Sequence, residues 1–139
     1  MKVTVFISSA IRDGDEQQTA QQTANGFLRV CENSLELSYR EAAGEEGLGN
    51  TLTFLRVFPT HLEMTRKGDY TCLLTLEPGA THDCDYATPF GNLTLTTDTM
   101  SYHSTLTKDG HGDVTVNYTL TAAGALTAHT LRVTVEPVQ

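Results

Sequence analysis

The clearest structural signal in this chain is the stretch at residues 85–97, which reads DYATPFGNLTLTT. Its TPFG segment at 88–91 suits a type I turn, because proline occupies the second position and glycine the fourth. After the turn, leucine and threonine alternate from Leu93 onward. A period of two is typical of a strand with one apolar face. The stretch therefore predicts a turn that opens into a β-strand.

The chain repeats this design on both sides of that turn. Val3, Val5 and Ile7 alternate near the start, and residues 114–120 and 131–135 alternate near the end. Apolar residues recur at every second position rather than at every third and fourth, so no helix is predicted. Turn sequences separate the runs, as in RDGD, KGD, EPG and KDGHGD.

These runs predict about ten strands joined by sequential hairpins. Such a high strand content is unusual for an ordinary domain, and a closed barrel accommodates it because closure removes exposed edges. Gly26 interrupts the second run, and glycine inside a long strand often marks a bulge or a barrel corner. The predicted fold class is therefore all-β, a single antiparallel up-and-down β-barrel of about eight to ten strands formed by residues 1–139. The alternative is a two-sheet sandwich, which the order of the hairpins disfavours.

The bulk composition excludes several classes of function. The 139 residues carry 17 acidic against 9 basic side chains, a net charge of −8 that repels phosphate backbones and predicts no nucleic-acid partner. No apolar run approaches the roughly 20 residues of a spanning helix, so no membrane partner is predicted. Cys31, Cys72 and Cys84 are odd in number and lack CxxC spacing, which argues against a disulfide framework. Because residues 2–11 read as a strand rather than a signal peptide, we expect a cytoplasmic protein.

At the PFG stretch the chain resembles a known family, the YwiB-like proteins (domain of unknown function family 1934). The resemblance spans nearly the whole chain in order. It rests on the segments LSY at 37–39 with Glu41, RKG at 66–68, PFGNLTLTT at 89–97, and YTL at 118–120 with Gly124 and HTL at 129–131. It implies a bacterial, intracellular, calycin-like (lipocalin-like) β-barrel with no established activity. Barrels of this kind often bind small apolar molecules in their interior, which is an analogy of fold alone.

Side-chain parity predicts a cluster of polar groups inside the barrel. Tyr39 and Glu41 share the parity of the apolar residues in their strand, and so do Arg56 and Arg66 in theirs. Buried charges must be paired, so Glu41 with either arginine, and Tyr39 beside them, is the predicted ligand-binding cluster. An arginine there would hold a carboxylate or phosphate in a fork. The alternative is a structural ion pair or a solvated rim, which is the commoner outcome because small barrels fill their interiors.

Other candidate chemistry lacks the required spacing. His82, Cys84 and Cys72 could meet across a hairpin, but the close cysteine pairs of structural zinc sites are absent. We therefore expect no metal and no cofactor. The chain contains neither a Gly-x-Ser-x-Gly elbow nor a phosphate loop, so no catalytic residues are predicted and the protein is not expected to be an enzyme.

Two function hypotheses remain from the sequence. The first is a non-enzymatic barrel that binds a small molecule near Tyr39, Glu41, Arg56 and Arg66. The second is a protein-interaction or homodimerisation module whose barrel interior is filled with core side chains. The sequence leaves open whether the protein is a monomer or a homodimer.

Overall fold

The computed structural model describes residues 1–40 and 51–138, which form ten β-strands and no helix. Accordingly, this part of the chain contains no helix that could cross a bilayer. The strands are β1 (Lys2–Asp13), β2 (Glu16–Val30), β3 (Leu35–Arg40), β4 (Thr51–Val57), β5 (Leu62–Gly68), β6 (Cys72–Leu76), β7 (Thr81–Thr88), β8 (Gly91–Ser104), β9 (Gly112–Ala122) and β10 (Ala125–Pro137).

All ten strands belong to one antiparallel sheet, in the order β6-β5-β4-β3-β2-β1-β10-β9-β8-β7. The first and last strands of the chain pair with each other, and every other neighbour in the sheet is a neighbour in the chain. The two outer strands, β6 and β7, meet where Thr71 and Ala87 exchange two backbone hydrogen bonds of 2.9 Å. The sheet is thus a nearly closed up-and-down barrel. This confirms the predicted all-β barrel and excludes the sandwich alternative.

The seam between β6 and β7 is joined by few backbone bonds and partly by side chains. Beyond the Thr71–Ala87 pair, Gly79 N donates to the carbonyl of Thr99 at 3.1 Å. The Thr97 hydroxyl donates to the carbonyl of Thr75 at 3.2 Å. The barrel is therefore closed at this seam by a few separate hydrogen bonds rather than by a continuous backbone ladder between β6 and β7.

The two ends of the barrel differ in what fills them. Because the strands alternate in direction, we call the end that carries the β1–β2, β5–β6, β7–β8 and β9–β10 turns the open end. The closed end carries the β2–β3, β4–β5, β6–β7 and β8–β9 connections. Inward-facing aliphatic side chains fill the barrel near the closed end, namely Val3, Val5, Leu37, Leu55, Leu62, Leu76, Val116, Val133 and Val135, each at most 1% exposed. Burying each one stabilises the fold by about 1.5–3 kcal/mol.

The β8–β9 connection covers the closed end. Leu106 from this connection is 9% exposed and belongs to the core. Gly110 packs so closely that a Cβ at this position would lie 2.8 Å from the Met1 sulfur and 3.3 Å from Val3. The closed end therefore has a packed floor.

The predicted inward face of β4 is wrong. The alternating burial along β4 shows that Thr51, Thr53, Leu55 and Val57 face the interior. Arg56 belongs to the alternate positions, which face outward. On the outer face, the Phe54 ring lies under the ammonium group of Lys67 at 5.4 Å. The reason is that both parities of this strand carry large apolar residues, so alternation alone could not choose between them.

Gly26 does not mark a bulge, because β2 keeps continuous register with β1 and β3 around it. Its role is close approach: a Cβ would lie 2.6 Å from the carbonyl oxygen of Ser38 and 2.9 Å from Val5. The register shift lies instead in β8, between Thr99 and Ser101.

Candidate functional site

A cavity of about 300 Å³ occupies the barrel near the open end. It is lined mainly by inward-facing side chains of β1 and of β5 to β10. Most of its wall is apolar, from Ile11, Met64, Leu74, Leu93, Leu95, Leu120, Ala122 and Leu131. In the part of the chain that the structure describes, the closed end of the barrel is thus packed and the open end contains a cavity.

Arg66 is the only charged side chain among the described residues that line this cavity. It is positioned by strand register, because Thr53 of β4 and Cys72 of β6 lie directly beside it. Arg66 and Tyr86 of β7 both line the cavity. Burial raises the pKa of Tyr86, and the charge of Arg66 opposes that rise. The described lining of the cavity therefore includes one cationic side chain and a tyrosine hydroxyl.

Tyr118 and His129 form the wall on β9 and β10. Their rings stack with centroids 4.9 Å apart and an interplanar angle of 8°. The Thr127 hydroxyl lies 2.7 Å from Nε2 of His129. Burial lowers the pKa of His129, and the neighbouring charge of Arg66 lowers it further. His129 is therefore neutral at pH 7, and its imidazole adds a polar but uncharged group to the cavity.

We expect acidification to destabilise the protein partly through His129. Since the folded state lowers its pKa from 6.5, the unfolded chain binds more protons just below that pH. The stabilising contribution is complete above pH 6.5 and is lost as the pH falls through the lowered value. Thermal unfolding of the wild type and of His129→Gln at pH 7.5 and 5.5 measures this, and the variant should lose less stability. The control is His111→Gln, which removes an exposed imidazole outside the cavity. Equal slopes for wild type and His129→Gln would contradict the prediction.

The structure describes three of the four residues of the predicted ligand cluster, and it places Arg56 apart from Tyr39 and Arg66. Tyr39 is buried, 3% exposed, and shares a row of paired inward positions with Thr53 and Arg66. Of the three described members of the cluster, Arg66 alone lines the cavity. Arg56 lies on the outer face with its side chain 50% exposed, and its Nε is 3.4 Å from Glu36. Placing Arg56 inside the barrel was wrong, because the inward parity of β4 is the opposite one.

The predicted role of Glu41 falls outside the described residues. On the outer surface, the carboxylate of Glu36 lies 3.0 Å from Arg29 and 3.4 Å from Arg56. Glu36 is the bridging member of this surface ion-pair network, which contributes at most about 1 kcal/mol per pair.

The cavity residues that the sequence analysis did not single out are Tyr86, Tyr118 and His129. Tyr118 carries a usable signal, because it shares the parity of Val114, Val116 and Leu120. His129 carries the same signal, because it shares the parity of Leu131, Val133 and Val135. The signal is weaker for Tyr86, because the inward positions of β7 are only partly buried and include the polar His82 and Thr88.

The cysteine and histidine group at the seam does not have the geometry of a metal site. Cys72 and Cys84 lie near each other, and burial raises the pKa of both thiols, that of Cys84 to about 11. His82 Nε2 lies 3.5 Å from a carboxylate oxygen of Glu77. Within residues 1–40 and 51–138, no three His, Cys, Asp or Glu side chains are arranged to hold a metal ion.

Comparison with known proteins places the chain in a family. The model of the family described as "Domain of unknown function (DUF1934)" matches residues 5–133. The chain is 29% identical over 116 residues to the uncharacterized beta-barrel protein YwiB of Bacillus subtilis (strain 168), covering 84% of this chain and 79% of that protein. The crystal structure of ywiB protein from Bacillus subtilis superposes with a TM-score of 0.87 at 27% identity, covering 99% of this chain and 92% of that one. The chain therefore belongs to the DUF1934 family of YwiB-like β-barrel proteins, whose function is unknown.

Proposed function

We propose that this protein is a non-enzymatic binding protein that holds one small molecule in the cavity at the open end of the barrel. The observation that carries the proposal is the contrast between the two ends. Aliphatic side chains fill the closed end, whereas the open end leaves about 300 Å³ with a mostly apolar wall. Ligand pockets are typically apolar cavities with a few polar groups, and this volume is at the small end of their range. A barrel whose interior served only as core would be filled throughout.

The chemistry of the lining favours binding over catalysis. Burial raises the pKa values of Tyr86, Tyr118 and Cys72, so these groups keep their protons near pH 7. His129 is neutral, but its ring nitrogen contacts the Thr127 hydroxyl rather than a carboxylate that would orient it as a base. Such a lining can orient a ligand through hydrogen bonds, and it offers no activated nucleophile.

The proposed place of action is the cytoplasm. Cys31, Cys72 and Cys84 are free thiols, and the cytosol keeps thiols reduced. We propose one ligand for each chain, because the described wall of the cavity is formed by β1 and β5 to β10 of one barrel.

Filling the cavity is expected to abolish binding. The experiment measures the melting temperature of the full chain with n-alkanols of six to ten carbons, which are neutral and apolar. At about 100 times Kd, a ligand stabilises the folded state by about 2.7 kcal/mol, which raises Tm by roughly 8 °C for a domain of this size. Ala122→Phe places a ring at the cavity wall and should remove the response.

The matched control is Ala128→Phe, which adds the same ring at an exposed position of the same strand pair. It should respond like the wild type. The proposal is wrong if neither alkanols nor the corresponding acids raise Tm, or if Ala122→Phe responds as strongly as Ala128→Phe.

A further inference from the structure

We infer that the ligand is a long-chain apolar molecule, and that the part of it outside the cavity lies along the inner face of the β7–β8 hairpin. The inference rests on the proposed binding function and names the ligand class for the same cavity. It also assigns a second contact surface to the ligand. We call this surface the lip, and it consists of Leu93 and Phe90.

The first step is the length of the ligand. The cavity has a volume of about 300 Å³, which is roughly ten times the ~30 Å³ that a water molecule occupies in the liquid. A methylene group is similar in size to a water molecule. A chain of more than about ten carbons therefore extends through the mouth of the cavity.

The second step is the apolar surface that such a chain meets. Along the inner face of β8, Leu95 is 4% exposed and Leu93 is 44% exposed, and both line the cavity. Phe90, in the turn at the end of the same hairpin, is 92% exposed. The apolar wall thus continues from the buried interior to the outside, and a ligand that lies along it removes both lip residues from water.

The third step is the reach of this hairpin. Leu95 of β8 pairs with Ala122 of β9, after which the β9–β10 turn begins, so Leu93 is level with that turn. Phe90 lies three residues farther along the hairpin, which is at most about 10 Å. The Thr88 hydroxyl fixes the turn, because it donates to the Gly91 carbonyl at 2.7 Å and accepts the Phe90 N–H at 3.1 Å. The lip is therefore an ordered extension of the cavity wall.

The fourth step is the distribution of charge around the mouth. Residues 86–97 and 114–128 carry no charged side chain, and they include the β7–β8 and β9–β10 turns. The β1–β2 turn, in contrast, carries Arg12, Asp13, Asp15 and Glu16. Covering charged groups with an apolar chain costs desolvation free energy. A chain that leaves the cavity therefore lies more favourably on the uncharged side of the mouth.

The size of the lip favours a ligand over a protein partner. A stable protein–protein interface buries about 800 Å² on each partner, whereas a phenylalanine buries at most about 250 Å². Isolated apolar side chains are common on protein surfaces, but Leu93 joins this pair to the cavity wall. The lip therefore has the size and position to cover one flank of an alkyl chain.

The experiment measures the dissociation constants of isotopically labelled 1-alkanols with six, eight, twelve and fourteen carbons by equilibrium dialysis. The proteins are the full-length wild type, Phe90→Ser and Leu126→Ser. Leu126→Ser is the matched control, because Leu126 is 59% exposed near the same end of the barrel but belongs to the outward positions of β10. A fully buried methylene contributes about 0.8 kcal/mol, which lowers Kd about fourfold.

In the wild type, Kd should fall about 16-fold from six to eight carbons, inside the cavity, and about fourfold from twelve to fourteen carbons, where the lip covers one side of the chain. Phe90→Ser should bind the two short alkanols within about twofold of the wild type and the fourteen-carbon alkanol about tenfold more weakly. Retained binding of the short alkanols shows that its cavity is intact. Leu126→Ser should match the wild type at every length.

A wild-type Kd that stops falling beyond twelve carbons would overturn the role of the lip and leave the proposed function standing. The same holds if Phe90→Ser binds the fourteen-carbon alkanol as tightly as the wild type, or if Leu126→Ser weakens its binding equally. A wild-type dimer that Phe90→Ser converts to a monomer in sedimentation velocity would assign the lip to a second copy of the chain and overturn the inference. Binding of none of the alkanols would overturn the proposed function itself.

Discussion

Replacing Gly112 with alanine is expected to lower the free energy of unfolding by about 4 kcal/mol. Gly112 has a φ of +140°, which strains any residue with a side chain, and the space for a Cβ is already occupied. The added carbon would lie 2.5 Å from the Cα of Leu106 and 2.5 Å from the carbonyl oxygen of Thr105. Backbone strain costs about 1–3 kcal/mol, and overpacking costs a similar amount. Urea unfolding followed by circular dichroism measures the loss.

Two further glycines separate these contributions. Gly124 has a φ of +81° with nothing within 4 Å of a Cβ, so Gly124→Ala should cost only about 1 kcal/mol through backbone strain. At Gly26 the problem is contact alone, because a Cβ would lie 2.6 Å from the carbonyl of Ser38. Gly26→Ala should therefore cost about 2 kcal/mol. If Gly112→Ala were no more destabilising than Gly124→Ala, that result would contradict the close packing of the β8–β9 connection over the closed end.

Replacing Leu55 with alanine should destabilise the protein by about 3 kcal/mol. Leu55 is 0% exposed and packs in the filled closed end, and truncation of a buried leucine typically costs 2–5 kcal/mol because a cavity remains. The control is Leu52→Ala on the outer face of the same strand, which should cost less than about 1 kcal/mol. Chemical denaturation of the two variants under identical conditions gives the comparison. A larger loss for Leu52→Ala would mean that Leu52, rather than Leu55, faces the core, as the sequence pattern of β4 suggested.

The fold was predictable in strands whose apolar residues occupy only every second position. In β1 the alternation of Val3, Val5 and Ile7 has no competing pattern, and all three are buried. The same holds for the inward positions of β9 and β10. In β4 both parities are apolar, and the inward set includes Thr51 and Thr53, which are 0% exposed. The pairing of β4 with β3 and β5 decides which of its faces points into the barrel, and the local sequence does not specify that pairing.

The candidate site was predictable only in part. Parity identified Arg66 as inward, because the apolar residues before it in β5 occupy one parity only. The inward position of Tyr39 was found in the same way. The cavity itself was not predictable, because its size depends on how ten strands close around it and on where aliphatic filling stops. Those quantities come from strand number, tilt and stagger, which are properties of the whole barrel.

The separation of a packed end from a hollow end also bears on how this family can diverge. Substitutions at Leu120, Ala122 or His129 reshape the wall of the cavity, whereas the core of the closed end is built from other residues. Under the proposed binding function, selection can therefore act on ligand recognition and on folding through largely separate sets of positions. Two barrels of this kind could then keep a superposable backbone at low sequence identity and bind different ligands. The closed end would set the stability of the barrel, and the open end would set its ligand preference.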